Sequence, residues 1–523
     1  MDRTAGTAIR SLLAAEAELS WHLPEGYASR LQPDYHHDAV SDDADVVHQP
    51  EAYEVVRYLL AETGRGTVLD IGCGSGRKLR ELSAPRAVGV DFGANIEFCR
   101  TNHPGSGEWI EANLSDPSAR KIADHASSDA IVICSDVVEH MPDPTQLLRL
   151  LDDCYRRGAI VITTTPDRVR VRGADHAGPP PNESHVREWE LNEYSKVLAD
   201  AGLNLTFAGF TTNNSEAREF KTILTISDPE VSARAVSRNA NRPLAIIAAY
   251  NEADILAEVA SDWIKQGCDI HLIDNWSTDG TWDVARKLAA AHPARVAIER
   301  FPDAPTSTYE WVPLLNRKAD IAAQHPGRWI IHTDADELRR SPFPDVSLSD
   351  GFDIVEQTGA NRVDFRVINF QPIPSSRLDG ESIEDSLRSF RFGTRPGHLR
   401  QSKAWLQGWQ RVDLASSGGH EANFTGAVDF RYKFLLKHYP LRSETHAVRK
   451  IEEERHARRS PFESEVLGFH GHYKELADRG FTSEDDADLI QWDEATFWRE
   501  YGLIVMTDLV QSRIDRGWIK PGK

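Results

Sequence analysis

The sequence is organised around the stretch Trp329-Ile330-Ile331-His332-Thr333-Asp334-Ala335-Asp336-Glu337-Leu338. Its apolar start is typical of a buried strand, and the polarity then changes to three carboxylates in four residues. Asp334 and Asp336 stand two positions apart, so both can reach one hard cation from a turn just after the strand. A Mg²⁺ or Mn²⁺ ion held there keeps open positions for diphosphate oxygens. An acidic turn at a strand end is the alternative interpretation of this pair taken alone.

Two further strand-and-turn segments lie upstream. Residues 244–252 read L-A-I-I-A-A-Y-N-E, and residues 270–281 read I-H-L-I-D-N-W-S-T-D-G-T after a helical pattern. The carboxyl ends of such strands form the ligand crevice of an open α/β sheet. In order, spacing and residue types, the three segments resemble the GT-A glycosyltransferases, closest to family 2 and its relatives. The resemblance implies a nucleotide-sugar donor and a metal ion, Mn²⁺ or Mg²⁺.

The same resemblance implies roles for individual residues. It assigns donor binding to Tyr250, Glu252, Asp274, Asp279 and Asp334. Asp274 and Asp279 are expected near the base and ribose. It assigns the metal to Asp334, Asp336 and His438.

The implied catalytic base of the second half is Glu421, which follows a glycine pair at 418 and 419. A carboxylate suits this role because it must take a proton from the attacking sugar hydroxyl. The sequence departs from the family pattern at Ala422, where an Asp is common, so Asp413 remains a competitor for the base. An ordinary loop acid is the alternative interpretation of Glu421.

The first half carries a strand that runs into a glycine-rich turn, T-V-L-D-I-G-C-G-S-G at residues 67–76. Glycines let a backbone approach a ligand closely. Asp91 ends the next apolar run, about twenty positions after the first glycine, where a carboxylate can accept both ribose hydroxyls. Residues 135–144, S-D-V-V-E-H-M-P-D-P, follow a fourth apolar run.

This series resembles the class I S-adenosylmethionine-dependent methyltransferases, in particular the small-molecule group with an E-H-x-x-D-P segment. The resemblance implies S-adenosylmethionine as cofactor, bound by Asp70, Gly72, Gly74, Gly76, Asp91, Asn113 and Asp136. His140 and His185 are the candidate general bases for a hydroxyl acceptor. A packing or hydrogen-bonding role remains open for either histidine.

Length and composition bound the remaining possibilities. A chain of 523 residues is too long for one ordinary core, and 40% hydrophobic with 27% charged residues is typical of a globular protein. A net charge of -21 disfavours nucleic acid or an anionic membrane as the main partner. Five cysteines without a C-x-x-C pair favour reduced thiols. With no signal pattern and no window as long as a membrane span, we expect a cytoplasmic protein.

A polar stretch bracketed by prolines, residues 227–243, reads as a linker. We therefore predict an α/β chain of two domains: a Rossmann-like methyltransferase sheet at 1–234 and a GT-A nucleotide-sugar-binding domain at 235–523. Residues 363–370 are predicted to form one later strand by alternation. The predicted function is a bifunctional methyltransferase and glycosyltransferase acting on a carbohydrate or glycosylated acceptor. In the alternative, one half is catalytic and the other only binds ligand for regulation or scaffolding.

Overall fold

The computed structural model describes residues 21–34, 46–217, 219–231, 241–373, 382–450, 458, 489–517 and 519. The chain divides into two compact units, Met1–Ser232 with Trp498–Leu503, and Ala233–Phe497 with Ile504–Lys523. Within the described residues, none of the helices has the length and apolar character that a membrane crossing requires.

The first unit is built on a seven-stranded sheet with helices around it. Its strands are β1 (Thr67–Ile71), β2 (Arg86–Asp91), β3 (Glu108–Glu111), β4 (Ala130–Ser135), β5 (Ile160–Pro166), β6 (Phe207–Thr211) and β7 (Thr222–Ser227). Its helices are α1 (Pro50–Thr63), α2 (Arg77–Glu81), α3 (Gly93–Asn102), α4 (Thr145–Arg156), α5 (Arg168–Arg172) and α6 (Leu191–Asp200). The 3-10 segments Pro117–His125 and Val138–His140 flank β4.

The strand order of this sheet is β3-β2-β1-β4-β5-β7-β6. All pairings are parallel except those that β7 makes with β5 and β6. Every residue of β1 and β4 is buried, because both faces of a central parallel strand are covered. The chain order reverses between β1 and β4, and a ligand crevice opens beyond the carboxyl ends of strands at such a point.

The second unit contains two sheets. Its strands are β8 (Leu244–Ala249), β9 (Asp269–Asp274), β10 (Val296–Arg300), β11 (Trp329–Asp334), β12 (Glu337–Arg340), β13 (Arg362–Val363), β14 (Phe365–Gln371), β15 (Ser389–Phe392), β16 (Ala404–Leu406), β17 (Phe434–His438) and β18 (Ile490–Gln491). The helices in the remainder of the described chain are α7 (Leu256–Lys265), α8 (Thr281–Ala291), α9 (Trp311–Ala322), α10 (Leu348–Gln357), α11 (Ile383–Ser386), α12 (Pro396–Leu399), α13 (Glu444–Val448), α14 (Glu494–Met506) and α15 (Leu509–Asp515).

The larger sheet has the order β10-β9-β8-β11-β16-β13, and the smaller has β12-β17-β14-β15-β18. The four strands β10, β9, β8 and β11 are parallel, so their carboxyl ends meet at one edge. β11 is buried up to Thr333, and only Asp334 at its end is partly exposed. The predicted α/β class is confirmed in both units.

The strand predicted at residues 363–370 is interrupted at Asp364. The two pieces, β13 and β14, belong to different sheets. The buried carboxylate of Asp364 explains the break, because its Oδ1 accepts from the backbone N–H groups of Phe365 at 2.8 Å and Gln401 at 2.6 Å. Lys433 neutralises its charge, with Nζ 2.8 Å from Oδ2. A side chain that takes over backbone donors ends the regular ladder.

Candidate active sites

A cavity of about 810 Å³ opens in the first unit, at the carboxyl ends of β1 and β4. Most of the residues predicted to bind the cofactor or to act on the acceptor line it: Gly72, Gly74, Asp91, Asn113, Asp136, His140 and His185. Two predicted cofactor residues, Asp70 and Gly76, are not among the described residues that line this cavity.

The glycine turn is fastened to the second strand by Asp91. The backbone N–H of Gly74 donates to Asp91 Oδ2 at 2.8 Å, and the N–H of Phe92 donates to Oδ1 at 2.8 Å. Gly72 has a φ of 80°, and a side chain there would collide with Val137. The turn therefore depends on glycine for its backbone conformation, which brings the chain close to the cavity at Gly72 and Gly74.

Asp70 and Gly76 serve the framework of the turn. Asp70 is fully buried in β1, where its Oδ2 accepts from the Tyr53 hydroxyl at 3.0 Å. Gly76 has a φ of 69°, and an added Cβ would lie 2.6 Å from the Trp109 ring. Both residues lie behind the cavity wall, so direct cofactor contact is not supported for either.

Asp136, directly after β4, has a left-handed φ of 54°. Two side chains hold it there, since Gln49 Nε2 donates to its Oδ2 at 2.5 Å and Thr164 Oγ1 donates to its Oδ1 at 3.0 Å. Strained backbone of this kind persists where surrounding contacts determine it. Gln49 also lines the cavity, although no sequence pattern indicated it.

The two candidate bases lie side by side in the cavity wall. The ring centroids of His140 and His185 are 4.8 Å apart with the planes at 87°. His140 Nδ1 donates to the Ser184 carbonyl at 2.9 Å, so its neutral tautomer carries the lone pair on Nε2. His185 Nδ1 donates to buried Glu188 at 2.8 Å, and Asn182 Nδ2 donates to its Nε2 at 3.0 Å.

Glu188 anchors His185 as a carboxylate. Burial by itself raises the pKa of Glu188, but the hydrogen bond from His185 and the charge of Arg172 outweigh it. The net pKa is therefore lower than usual. Arg172 Nε lies 3.3 Å from Glu188 Oε2. His185 and Glu188 are near neighbours in sequence. Arg172 lies 16 positions before Glu188, and the fold brings it to the second carboxylate oxygen.

Glu139, a fully buried residue, lies next to the histidine pair. Glu139, His140 and His185 each offer one donor atom, and these atoms lie within 4.8 Å of one another. Burial raises the pKa of Glu139 well above its usual value, and its Oε1 is buried without a hydrogen-bond partner in the described chain. A carboxylate with two imidazoles is a donor set that suits a divalent transition metal ion. The geometry therefore fits either a base or a metal ion.

A second cavity, of about 390 Å³, lies in the second unit at the carboxyl ends of β8 and β11. The predicted donor and metal residues that line it are Tyr250, Glu252, Asp334, Asp336 and His438. Both glycines of the pair at 418 and 419 line it as well. A side chain at Gly419 would lie 2.9 Å from His332 Nε2, so the chain can pass there only as glycine.

Asp274 and Asp279 do not line this cavity within the described chain. Asp274 is fully buried and pairs with Arg300, whose Nε lies 3.1 Å from its Oδ2. Asp279 binds the start of α8, because its Oδ1 accepts from the Thr281 N–H at 3.0 Å. Its Oδ2 accepts from the Ala253 N–H at 3.1 Å. Both carboxylates hold the turns that surround the cavity instead of facing its interior.

Glu421 and Asp413 are also absent from the described residues of the cavity wall. Glu421 pairs with Arg400 at 2.8 Å, and Asp413 Oδ1 accepts from the Ser416 N–H at 3.0 Å. Residue 421 forms an isolated bridge with Ser402 directly after the turn that contains the glycine pair, and its carboxylate is directed to Arg400. His420 takes the cavity side, so the predicted base Glu421 is not placed for that role.

Asp336 and His438 form the part of the predicted metal site that converges. His438 Nε2 lies 3.8 Å from Asp336 Oδ1, a span that one ion can bridge. His438 Nδ1 donates to Asn369 Oδ1 at 2.9 Å, which leaves the Nε2 lone pair facing Asp336. Asp334 is half-exposed, and Lys318 Nζ lies 3.7 Å from its Oδ1. Asp336 and His438 therefore offer two converging donor atoms for a divalent cation.

Lys450 lines the same cavity, although its position in the sequence is a weak indication of such a role. Its buried ammonium lies 2.9 Å from Asp336 Oδ2 and 3.0 Å from Glu252 Oε1. Burial by itself raises the pKa of Asp336, but the positive charges of Lys450 and Arg442 oppose this effect, and the net pKa is lower than usual. A cation that comes from about 110 positions downstream in sequence leaves no local signal.

Comparison with known proteins agrees with this geometry. Residues 48–207 match the family model described as a methyltransferase domain. This match covers most of the first unit. Residues 244–304, from β8 to just beyond β10, match glycosyl transferase family 2, so both predicted resemblances are confirmed. The family 2 match ends before Asp334.

Among the curated relatives that match this part of the chain, two illustrate the similarity. One is a probable S-adenosylmethionine-dependent methyltransferase of Mycolicibacterium smegmatis, 30% identical over 162 residues, which are 29% of this chain and 58% of that protein. The other is a ubiquinone biosynthesis O-methyltransferase of Saccharophagus degradans, 25% identical over 31% of this chain and 73% of that protein. A crystal structure of a methyltransferase from Aquifex aeolicus aligns over 34% of this chain and 89% of its own, at 15% identity and a TM-score of 0.25.

Proposed function

We propose that the methyltransferase domain transfers a methyl group from S-adenosylmethionine to a hydroxyl oxygen of its acceptor. One observation carries this proposal: a single cavity joins the turn of Gly74 and Asp91 to the His140–His185 pair. When bound, the cofactor supplies an electrophilic methyl group. Asp91 and the glycine turn hold it, and holding two reactants in line supplies much of the rate.

In this proposal His140 is the base. Its Nδ1 proton is committed to the Ser184 carbonyl, so Nε2 is the atom that takes the acceptor proton. His185, fixed by Glu188, packs edge-on against it and positions it. In the second candidate role Glu139, His140 and His185 would hold a divalent ion, with His185 giving up one of its present hydrogen bonds, and the ion would supply positive charge to the acceptor hydroxyl.

Two variants and a chelator test these roles. We expect His140→Ala to lower methyl transfer about 100-fold with cofactor affinity unchanged, since general base catalysis contributes roughly that much. His185→Ala should behave similarly, and His125→Ala, outside the cavity, is the control. If EDTA abolishes methyl transfer and Mn²⁺ restores it, Glu139, His140 and His185 act as metal ligands. Full activity of both variants with cofactor bound would show that the base lies elsewhere.

For the second unit we propose sugar transfer from a nucleotide-sugar donor. The observation that supports it is the cavity that brings Tyr250, Asp334, Asp336 and His438 together. Asp336 and His438 would hold Mn²⁺ or Mg²⁺, which supplies charge to the departing diphosphate. Tyr250, with the Arg458 guanidinium 4.1 Å from its ring centroid, offers a flat surface to a base.

A thermal-shift panel tests the donor site without an acceptor, because a ligand of the native state raises its melting temperature. Sugar nucleotides and free nucleotides are compared with and without Mn²⁺. We expect a metal-dependent shift that disappears in Asp334→Asn/Asp336→Asn and persists in the exposed control Asp283→Asn. No shift with any donor, beside a clear shift with S-adenosylmethionine, favours the alternative of one catalytic half.

The link between the halves is that the methyl acceptor is a hydroxyl of the glycosylated product. This part of the proposal rests on the fusion of the two domains in one chain. Methyl transfer is measured on acceptors before and after glycosylation. Equal rates on unrelated acceptors would contradict the link and leave the two activities separate.

A further inference from the structure

A third cavity, of about 610 Å³, lies in the second unit at the amino end of β11. Gly327, two residues before β11, lines it and donates its N–H to the Gln407 carbonyl at 2.7 Å. Asp334 stands at the opposite, carboxyl end of β11, a strand about 17 Å long at the usual rise per residue. None of the residues described as lining this cavity lines the donor cavity, so the two are separate.

Trp409 stands at the edge of this cavity with 93% of its surface exposed. In the described part of the chain its indole makes no hydrogen bond. An indole left in water forgoes the favourable free energy of burial, which the apolar face of a ligand can recover. The other aromatic ring of the wall, Phe424, is partly buried against the core.

The loop that carries Trp409 is held in place by the side chain of Gln407. Gln407 Oε1 accepts from Trp405 Nε1 at 2.7 Å, and its Nε2 donates to the carbonyls of Gly408 at 2.9 Å and Gln410 at 2.8 Å. Trp405 is itself fully buried in β16. The exposed ring therefore sits on a loop fixed to the core, which lowers the entropy lost when a ligand binds.

The wall of this cavity contains no charged side chain among the described residues, in a chain with 27% charged residues. The two arginines beside it are directed elsewhere. Arg328 Nη2 donates to Asp269 at 2.6 Å, and Arg411 Nε donates to Asp320 at 2.7 Å. A phosphate or carboxylate ligand would find no cation here, whereas amide side chains and backbone groups can bond to hydroxyls.

We propose that this cavity is a second carbohydrate-binding site, which takes a neutral oligosaccharide with one ring stacked on Trp409. A pyranose has an apolar C–H face that suits an indole, and its hydroxyls suit the amides of the wall. The choice of carbohydrate rests on the proposed sugar transfer. At one strand length from Asp334, the site would hold a remote part of a long acceptor.

Isothermal titration of the full chain with cellohexaose, mannohexaose and laminarihexaose tests the proposal. We expect at least one of these neutral chains to bind. Trp409→Ala should weaken that binding at least about tenfold, as for a central aromatic contact, whereas Trp409→Phe should keep most of it. Asp334→Asn/Asp336→Asn should leave it unchanged. Because the indole is exposed, the melting temperature of Trp409→Ala should equal that of the wild type.

Three results would overturn the proposal: no binding of any of the three chains, binding that survives intact in Trp409→Ala, or hexagalacturonate binding as tightly as the neutral chains. Light scattering tests whether a second copy of the chain occupies the site. A concentration-dependent dimer that is lost in Trp409→Ala would assign the surface to that copy. The sugar-nucleotide thermal shifts of Trp409→Ala separate this site from the donor site. If the wild type itself shows no sugar-nucleotide thermal shift, that result contradicts the donor proposal and leaves the Trp409 site untouched.

Discussion

At the scale of single residues, the sites are set by side chains that bond to backbone groups. Asp91 accepts from the Gly74 N–H and so joins the end of β2 to the glycine turn. Its carboxylate serves the fold and, in the proposed function, the cofactor ribose. A hydrogen bond to an ionised group contributes about 1.5–3 kcal/mol.

We predict that Asp91→Ala weakens S-adenosylmethionine binding by about 1.5–3 kcal/mol, or roughly 10- to 100-fold, because two contacts of one carboxylate are lost. Isothermal titration measures the affinity. Glu111→Ala is the matched control, since Glu111 is an exposed acid that pairs with Arg100 on the surface. Equal affinities of the two variants would remove Asp91 from the cofactor site.

Lys450 illustrates a buried cation shared by two carboxylates. We predict that Lys450→Met lowers the free energy of unfolding of the second unit by about 3 kcal/mol, because removing one partner leaves buried charge uncompensated. Urea unfolding measures the change, with exposed Lys287→Met as control. Mn²⁺ should raise the melting temperature of Lys450→Met more than that of the wild type. A variant as stable as wild type would show that the ammonium is not needed for charge balance.

At the scale of elements, ion pairs join neighbouring strands and helices of the second unit. Glu299 in β10 accepts from Arg317 of α9, with Nε at 2.8 Å from Oε1 and Nη2 at 2.5 Å from Oε2. His271 of β9 lies 3.6 Å from Oε2. Burial by itself raises the pKa of Glu299, but Arg317 and His271 outweigh it and lower the pKa to about 2.

A carboxyl whose pKa is lower in the folded state stabilises the fold above its unfolded pKa, here about 4.5, and loses that effect as the pH falls toward 2. We predict that Glu299→Gln costs about 1 kcal/mol at pH 7, a value reduced for solvent screening. The difference from wild type should shrink between pH 5 and pH 3. Urea unfolding at several pH values measures it, and a difference independent of pH would contradict the assigned cause.

At the scale of the whole molecule, two units carry separate ligand cavities. All described residues of the 810 Å³ cavity belong to the first unit, and all those of the 390 Å³ cavity belong to the second. Each site is complete within its own unit. Ligand binding at one should therefore not require residues of the other.

We predict that Asp91→Ala removes the thermal shift with S-adenosylmethionine and keeps the metal-dependent shift with a sugar nucleotide. Asp334→Asn/Asp336→Asn should show the reverse pattern. Changes at sites that share no partner residue usually act independently. Loss of both shifts in either variant would show that the two sites are coupled.

Local sequence determined the strands, the glycine turn and the strand-end polar residues, since each is a pattern of near neighbours. Gly72, Gly74, Asp91 and Asp336 were identified in this way, and each lines its cavity. Both family resemblances rest on the same local patterns.

Tertiary structure alone decided which acidic side chains face a ligand. Asp274 pairs with Arg300, Asp279 accepts from backbone N–H groups nearby, and the Glu421 carboxylate pairs with Arg400. Lys450 reaches Asp336 across more than a hundred positions. A sequence pattern records which residue types are close along the chain, but the direction of a side chain and its distant partners depend on packing.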